Sequence, residues 1–363
     1  MADVVYLHVG APKTGTTYLQ DRLYLNRTRL AQHGISYPVG MRRDMFGPAL
    51  DLLDAPWGGQ REQFRGDWAQ LMTRVRRASG RVVLSHEILS ACSAEQASQA
   101  MRDLRAAEVH LVYSARDVAR QLPADWQEGL KYQKAWSFKR YVRKAKKASR
   151  RDSSMWFWRT QSLPDVLNRW AQGLPPEHVH LVTAPHEPGP DELWRRYCRA
   201  FGIDPEWAPR DSEQTNVSIG VDEAALMRAL NARLRRADLD PTAYRALVRQ
   251  LLVHETLARR EGMRKASLGP RHHAWAEEVA EEWIAWVEGS GIDVVGDVDD
   301  LRPRPPADPE QWRSPDRPRQ RKVNDAALDA LVALLLELAD RPDPEQSTSA
   351  RLSRAARRLT GQE

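Results

Sequence analysis

Residues 4–17 read VVYLHVGAPKTGTT. An apolar, β-branched run that breaks at Gly10 into a turn containing Pro, Gly and Thr is a strand running into a loop. Residues 17–33 then take up helical apolar spacing. Strand, glycine turn and helix together make a phosphate cradle. Successive backbone N–H groups converge on an anion, and the helix start adds positive partial charge. Thr14, Thr16 and Thr17 add hydroxyl donors to that cradle, and Lys13 adds a cation.

Outward from this loop the alternation continues. Short strands are predicted over 81–84, 109–114 and 179–183, with helices over 163–174 and 191–201. Such βαβ units give an α/β fold, a P-loop-like parallel β-sheet flanked by helices. Three strands end on polar residues: the Lys13 loop, Ser85-His86-Glu87, and Ala115-Arg116-Asp117. Ligands bind at the carboxyl ends of parallel strands, so these ends are expected to form one site. From Val221 onward the spacing is largely helical, over 224–235, 241–261, 273–287 and 326–339, with a Pro-rich charged connector over 302–319. The expected organisation is a nucleotide-binding core over 1–215, a helical extension over 216–340 completing the same domain, and a flexible basic tail over 341–363.

The bulk numbers describe a soluble globular chain: 363 residues, 42% hydrophobic and 29% charged. No apolar run approaches the ~18 residues of a membrane span, which excludes stable membrane insertion by a helix. The strand begins almost at once, without a secretory leader, so a cytoplasmic location is expected. Cys92 and Cys198 are far apart and without ligand neighbours, which predicts two buried free thiols. No zinc signature is present, and His272-His273 is too isolated to be a metal site. The net charge of +6 and pI near 9.4 suit an anionic ligand. Eight basic residues between Lys139 and Arg151 read as a solvated helix face, with a mobile anion-attracting flap as the alternative. The run lacks the interleaved aromatics that nucleic acid would require.

An ATP- or GTP-binding P-loop requires GxxxxGK[ST]. Gly10 and Gly15 have that separation, but Thr16 stands where the lysine belongs. The lysine is Lys13, in mid-loop, where it lies over the bridging oxygen of a 5′-linked group rather than reaching β/γ-phosphates. No Asp-ended strand for holding Mg²⁺ is evident either. A divergent nucleotide kinase or NTPase is therefore the alternative reading.

HVGAPKTGTTYLQ resembles the 5′-phosphosulfate loop, PK[ST]GTT, of sulfotransferases that use 3′-phosphoadenosine 5′-phosphosulfate (PAPS), in a form similar to bacterial members. The resemblance spans roughly the first half of the chain. It implies that Ala11, Pro12, Lys13, Thr14, Gly15, Thr16 and Thr17 hold PAPS and its product PAP, with no metal. The family's second motif is an Arg and, eight residues on, a Ser, both on the 3′-phosphate. HLVYSARDVARQLPADWQ supplies Arg116, but the serine position holds Ala124. Arg120 and Gln121, about one helical turn from Arg116, are candidate substitutes. That missing serine leaves a catalytically degenerate nucleotide-binding protein as a further alternative.

The family's base is a His or Glu ending the strand between the two motifs. VVLSHEIL offers His86 and Glu87, of which only one can face the acceptor if the strand continues. Glu87 is preferred, and either can act as a general base. The resemblance implies that Lys13 neutralises charge on the leaving phosphate oxygen and that the acceptor is a small molecule, sugar or lipid bearing a hydroxyl or amine. Trp126 is expected in its cleft, and Trp156, Trp158 and Trp170 are candidates to line it. Residues 216–218 and 317–322 are places where the chain can close over the nucleotide.

Overall fold

Alternation of Val5 and Leu7 with more exposed neighbours forms β1 (Ala2–His8), and Gly10 ends it. The computed structural model describes residues 2–41, 45–148, 150, 154–187, 189, 191–214, 218–237, 239–305 and 311–339. The predicted tail over 341–363 lies outside these residues. The chain continues through α1 (Thr16–Gln32), β2 (Ile35–Ser36), α2 (Phe46–Leu53), α3 (Asp67–Arg77), β3 (Gly80–Ser85) and α4 (Ala94–Leu104). Next come β4 (Glu108–Ala115), α5 (Val118–Leu130), α6 (Phe138–Lys147), α7 (Trp156–Gln161), α8 (Leu163–Trp170), β5 (Val179–Thr183) and α9 (Glu192–Phe201). After α10 (Val221–Ala237), α11 (Pro241–Ala243) runs on as a π-helix over Tyr244–Thr256. The described elements end with α12 (His273–Ser290), β6 (Asp293–Val295) and α13 (Gln320–Ala339).

The α/β expectation holds: six strands form one all-parallel sheet in the order β2-β3-β1-β4-β5-β6, flanked by helices. The inner strands are nearly continuous apolar runs, as a sheet covered on both faces demands. After β1 the chain turns to β2 and β3 on one side; from β4 onward it builds β5 and β6 on the other. That reversal puts a topological switch point at the carboxyl ends of β1 and β4, the position where open parallel sheets bind ligands.

Two compact units interleave along the chain. The first comprises residues 1–129, 136–218 and 266–317, and therefore contains the whole sheet, β6 included. Its core centres on Tyr113, Trp158, Trp170, Trp194 and Tyr197, all essentially without exposure. Cys92 and Cys198 are both buried and free, as their isolation predicted. Within this unit α6 buries Phe138, Tyr141, Val142 and Ala145. Its six basic residues, Lys139, Arg140, Arg143, Lys144, Lys146 and Lys147, are exposed, which is the arrangement of a solvated face; Arg151 lies outside the described residues.

The second unit comprises residues 130–135, 219–265 and 318–363, of which 340–363 are not described. Buried Asn231 organises it by donating to the Leu130 and Lys134 carbonyls at 2.8 Å each, while the Tyr244 hydroxyl donates to Asn231 Oδ1 at 2.9 Å. Arg319 grips Asp222 at 2.8 Å, and Arg260 grips Glu223 at 3.0 Å. Among the described residues no helix is long and apolar enough to cross a membrane.

Candidate active site at the carboxyl ends of the strands

Parallel register sets His8 beside Ser85 on β3 and beside Val112 on β4. The buried His8 ring bridges these strands, with Nδ1 2.8 Å from Ser85 Oγ and Nε2 3.1 Å from Ser114 Oγ. Burial pushes its pKa down to about 3, so the ring is neutral at physiological pH, one nitrogen donating and the other accepting. Ser114 Oγ in turn lies 2.5 Å from Thr14 Oγ1, which donates to the Ala11 carbonyl at 2.6 Å. The Tyr197 hydroxyl donates to the Thr14 carbonyl at 3.2 Å. This polar layer is the floor on which the loop sits.

Two glycines shape the loop. Gly10 has φ +98°, and a Cβ there would lie 2.8 Å from the Glu87 Cα, so only glycine lets β1 end against the start of the next segment. Gly15 has φ +93°, and a Cβ there would meet the Leu193 side chain at 2.5 Å. Lys13 itself has φ +67°, a left-handed conformation uncommon for a non-glycine residue and one that clusters at functional sites. From the side, Gln121 and Gln161 each donate Nε2 to the Pro12 carbonyl at 3.0 Å, and the Ala11 N–H donates to the Ser114 carbonyl at 2.7 Å. With the carbonyls held this way, the backbone N–H groups of residues 13–17 meet no acceptor among the described residues. They are open donors that run into the first turn of α1, where the helix start leaves its N–H groups unsatisfied.

Around these donors stand the charged groups. Lys13 Nζ donates to Glu128 Oε2 at 2.5 Å, and Arg116 Nη1 donates to the Lys13 carbonyl at 3.4 Å. Burial, with Arg120 nearby, lowers the Arg116 pKa to about 10, which leaves it a cation at neutral pH. Asp125 accepts from the Tyr141 hydroxyl at 2.5 Å. Burial, reinforced by Glu128, pushes the Asp125 carboxyl up to about 6.

His86 and Glu87 follow β3. His86 caps the 3₁₀ turn Glu87–Ala91: its Nδ1 accepts from the Ile88 N–H at 3.3 Å. In the neutral ring that bond consumes the one lone pair available, and the proton sits on Nε2. Burial lowers the His86 pKa, so the neutral form prevails. Glu87 Oε2 accepts from Gln20 Nε2 at 3.0 Å. Burial alone would raise the Glu87 pKa, but His86, the adjoining backbone N–H, Gln20 and Lys13 outweigh it and hold the carboxyl below its ordinary value. Glu87 is thus an ionised carboxylate in the field of Lys13.

The predicted residues therefore fall into two groups. Lys13, Gly15, Arg116, Glu87 and His86 gather at the switch point with Ala11 and Pro12. Thr14 is buried with its hydroxyl turned inward, Thr16 is buried at the head of α1, and only Thr17 is exposed. The Thr14 hydroxyl is thus engaged within the loop and its floor. Trp126 is corrected outright: it is 2% exposed, packs edge-on against Phe138, and donates its indole N–H to the Trp136 carbonyl. Trp158 and Trp170 are core residues as well, bonded to the Ala145 and Leu89 carbonyls, while Trp156 is half-buried against Trp57. Arg120 is committed to Asp117 and to the Ala184 and Pro185 carbonyls, and Gln121 to the loop. Ala124, at the position of the expected serine, offers no hydroxyl. Residues 216 and 217 lie outside the described residues.

Glu128, Asp125, Tyr141 and Gln20 were not anticipated. Gln121, Asp125 and Glu128 share one face of α5 by the i, i+4, i+7 rule, and that spacing was the available signal. The loop they face was known only as a loop.

No family model matches this chain, and no curated protein and no solved structure matches it.

Proposed function

We propose that this chain is a PAPS-dependent sulfotransferase whose nucleotide sits on a P-loop-like cradle and whose acceptor presents a hydroxyl or amine. The observation that carries the reading is the row of unbonded N–H groups at residues 13–17, flanked by Lys13 and Arg116 at the switch point. Five open donors, unpaired among the described residues, and two cations suit a ligand with an anionic group at each end. Arg116 is assigned to the 3′-phosphate, while Arg120 and Gln121 bond to the Pro185 and Pro12 carbonyls.

When bound, PAPS supplies the sulfuryl group and departs as PAP. The chain's own residues do the rest. The N–H groups of residues 13–17 bind the 5′ end. Lys13 leaves Glu128 and places its ammonium on the phosphate oxygen that gains charge as the S–O bond breaks, an interaction worth more in the transition state than in the ground state. Glu87, oriented by Gln20, takes the proton from the acceptor as its oxygen or nitrogen bonds to sulfur. His86 has its lone pair on the Ile88 N–H and acts by capping the segment that presents Glu87. Nothing in this sequence of events requires a metal, and a cytoplasmic location belongs to the same reading.

Thermal shift with PAP, AMP and Mg-ATP tests the proposal. PAP is expected to raise the melting temperature more than AMP does. Stabilisation by Mg-ATP and none by PAP overturns it in favour of a nucleotide kinase or NTPase. In turnover assays with PAPS and a panel of acceptors, Lys13→Ala is expected to cost roughly 10²–10³ in rate while PAP binding persists. PAP binding without turnover on any acceptor identifies a degenerate, non-catalytic binder.

A further inference from the structure

At the opposite end of the same sheet, the amino ends of β4, β5 and β6 bring together a second polar cluster that the reaction above does not use. Glu108 opens β4, with His110 two residues on; His178 immediately precedes β5, and His180 is its second residue; Asp293 opens β6. Glu108 Oε1 lies 2.8 Å from His110 Nε2 and 3.9 Å from His178 Nε2. One donor atom from each of the three residues falls within 4.8 Å of the others. Two ligands on one zinc ion, each at ~2.0–2.2 Å, sit about 3–4 Å apart, so modest turns of these side chains bring the three atoms to the spacing of a ligand set.

The groups behind the cluster have the arrangement that metal-bound imidazoles need. His110 Nδ1 is 2.8 Å from His180 Nε2, and His180 Nδ1 is 2.8 Å from Asp293 Oδ2. Such a chain fixes the ring's orientation, leaves Nε2 as the ligating nitrogen and makes it more basic.

We propose that Glu108, His110 and His178 bind a divalent transition metal, zinc by its preference for two imidazoles and a carboxylate, with His180 and Asp293 orienting His110. Imidazole ligands select against Mg²⁺ and Ca²⁺. The His110 and His178 rings are stacked, with centroids 4.3 Å apart and planes at 22°. Binding therefore turns the His178 ring out of the stack, which its place on the 3₁₀ turn Pro176–His178 and its 26% side-chain exposure allow. Glu108 is 53% exposed, so the ion has an open path and room for a water as fourth ligand. Bound there, it ties the start of β4 to the turn that enters β5.

The test is zinc titration of the full, untagged, chelator-stripped chain by calorimetry, with Mg²⁺ and Ca²⁺ as controls. One equivalent of zinc is expected to bind and to raise the melting temperature, with neither control binding. His110→Ala and His178→Ala are each expected to weaken binding at least about 100-fold, and His180→Ala about 10–100-fold. The exposed substitution Glu108→Gln provides a variant that folds if the histidine variants do not, and metal-free melting curves establish which are folded. A wild-type chain that binds no zinc overturns the proposal. So does a titration that folded Glu108→Gln and His178→Ala leave unchanged.

Discussion

The two ends of one parallel sheet solve the problem of placing polar groups in different ways. At the carboxyl ends the chain leaves the strands, and the groups of the candidate site are mostly backbone: N–H groups of residues 13–17, in a loop whose carbonyls Gln121, Gln161 and Tyr197 hold down. At the amino ends the groups are side chains of the strands themselves: His180 and Asp293 are register partners, and His110, on the neighbouring strand, reaches His180 and Glu108. A backbone site is rigid because its loop is braced. A side-chain site is assembled across strands, and its geometry depends on how they pair. Chemistry that needs charge stabilised in a fixed place belongs at the first end.

The sharpest way to break this contrast is at Glu87. If the carboxyl end is a catalytic site, Glu87→Gln keeps the Gln20 contact and the fold but removes the base, a loss of about 10²–10⁴ in turnover with PAP binding intact. His86→Ala is expected to cost less than Glu87→Gln, and to act through a loosened 87–91 turn. Steady-state kinetics on the two variants decides between them. If His86→Ala costs the more, His86 is the base and the capping argument fails.

His8 tests whether the floor of that end is as fixed as its hydrogen bonds imply. Its folded pKa of about 3 lies below the 6.5 of an unfolded histidine. As pH falls below 6.5 the unfolded chain takes up a proton that the native chain refuses. Stability is therefore lost between pH 6.5 and 3, by up to about 1.4 kcal/mol per pH unit from this one group. His8→Gln removes that slope. Urea midpoints should show the variant less stable at pH 7, by about 1–3 kcal/mol for the buried hydroxyl left without a partner. The gap to wild type should narrow at each step down to pH 4. A constant gap would mean that His8 is charged, or solvated, in the native state.

The same contrast explains what could be read in the sequence. The strand at 179–183 was predicted to the residue, and β1, β4 and α1 to within one or two, because each carries its own apolar period. The loop was legible because a backbone site is contiguous: Gly10, Lys13 and Gly15 announce it within six residues. β2 and β6 were missed, since two- and three-residue edge strands such as Ile35–Ser36 and Asp293–Val295 have no period to detect. Trp126 was misplaced because an aromatic near a motif carries no sign of which side of its helix faces inward. Glu128 went unseen because its meaning depends on where Lys13 lies, 115 positions away. The histidine cluster was illegible for the same reason, three times over: residues 108–110, 178–180 and 293 meet only through strand order.

The smallest effect expected concerns Asp125, where the two ends differ most in how carboxylates are treated. Glu108 at the amino end is exposed and held below its ordinary pKa by His110. Asp125, at the carboxyl end, is raised from 3.8 to about 6 by burial and by Glu128, with Tyr141 and Lys13 opposing. Between those two values the native state keeps a proton that the unfolded chain has released, so Asp125 erodes stability as pH rises from 3.8 to 6 and remains a net cost above it. The shift corresponds to roughly 3 kcal/mol, and partial exposure discounts it to about 1–2 kcal/mol. Asp125→Asn keeps an oxygen for the Tyr141 hydroxyl and carries no charge. It is expected to be more stable than wild type by about that 1–2 kcal/mol at pH 7.5 and to lose the advantage at pH 4, as read from denaturant midpoints. A variant less stable at both pH values would show that the ionised Asp125 is held favourably by Lys13. The carboxyl end would then be balanced around its lysine before any anion arrives, and the open N–H groups alone would have to attract the ligand.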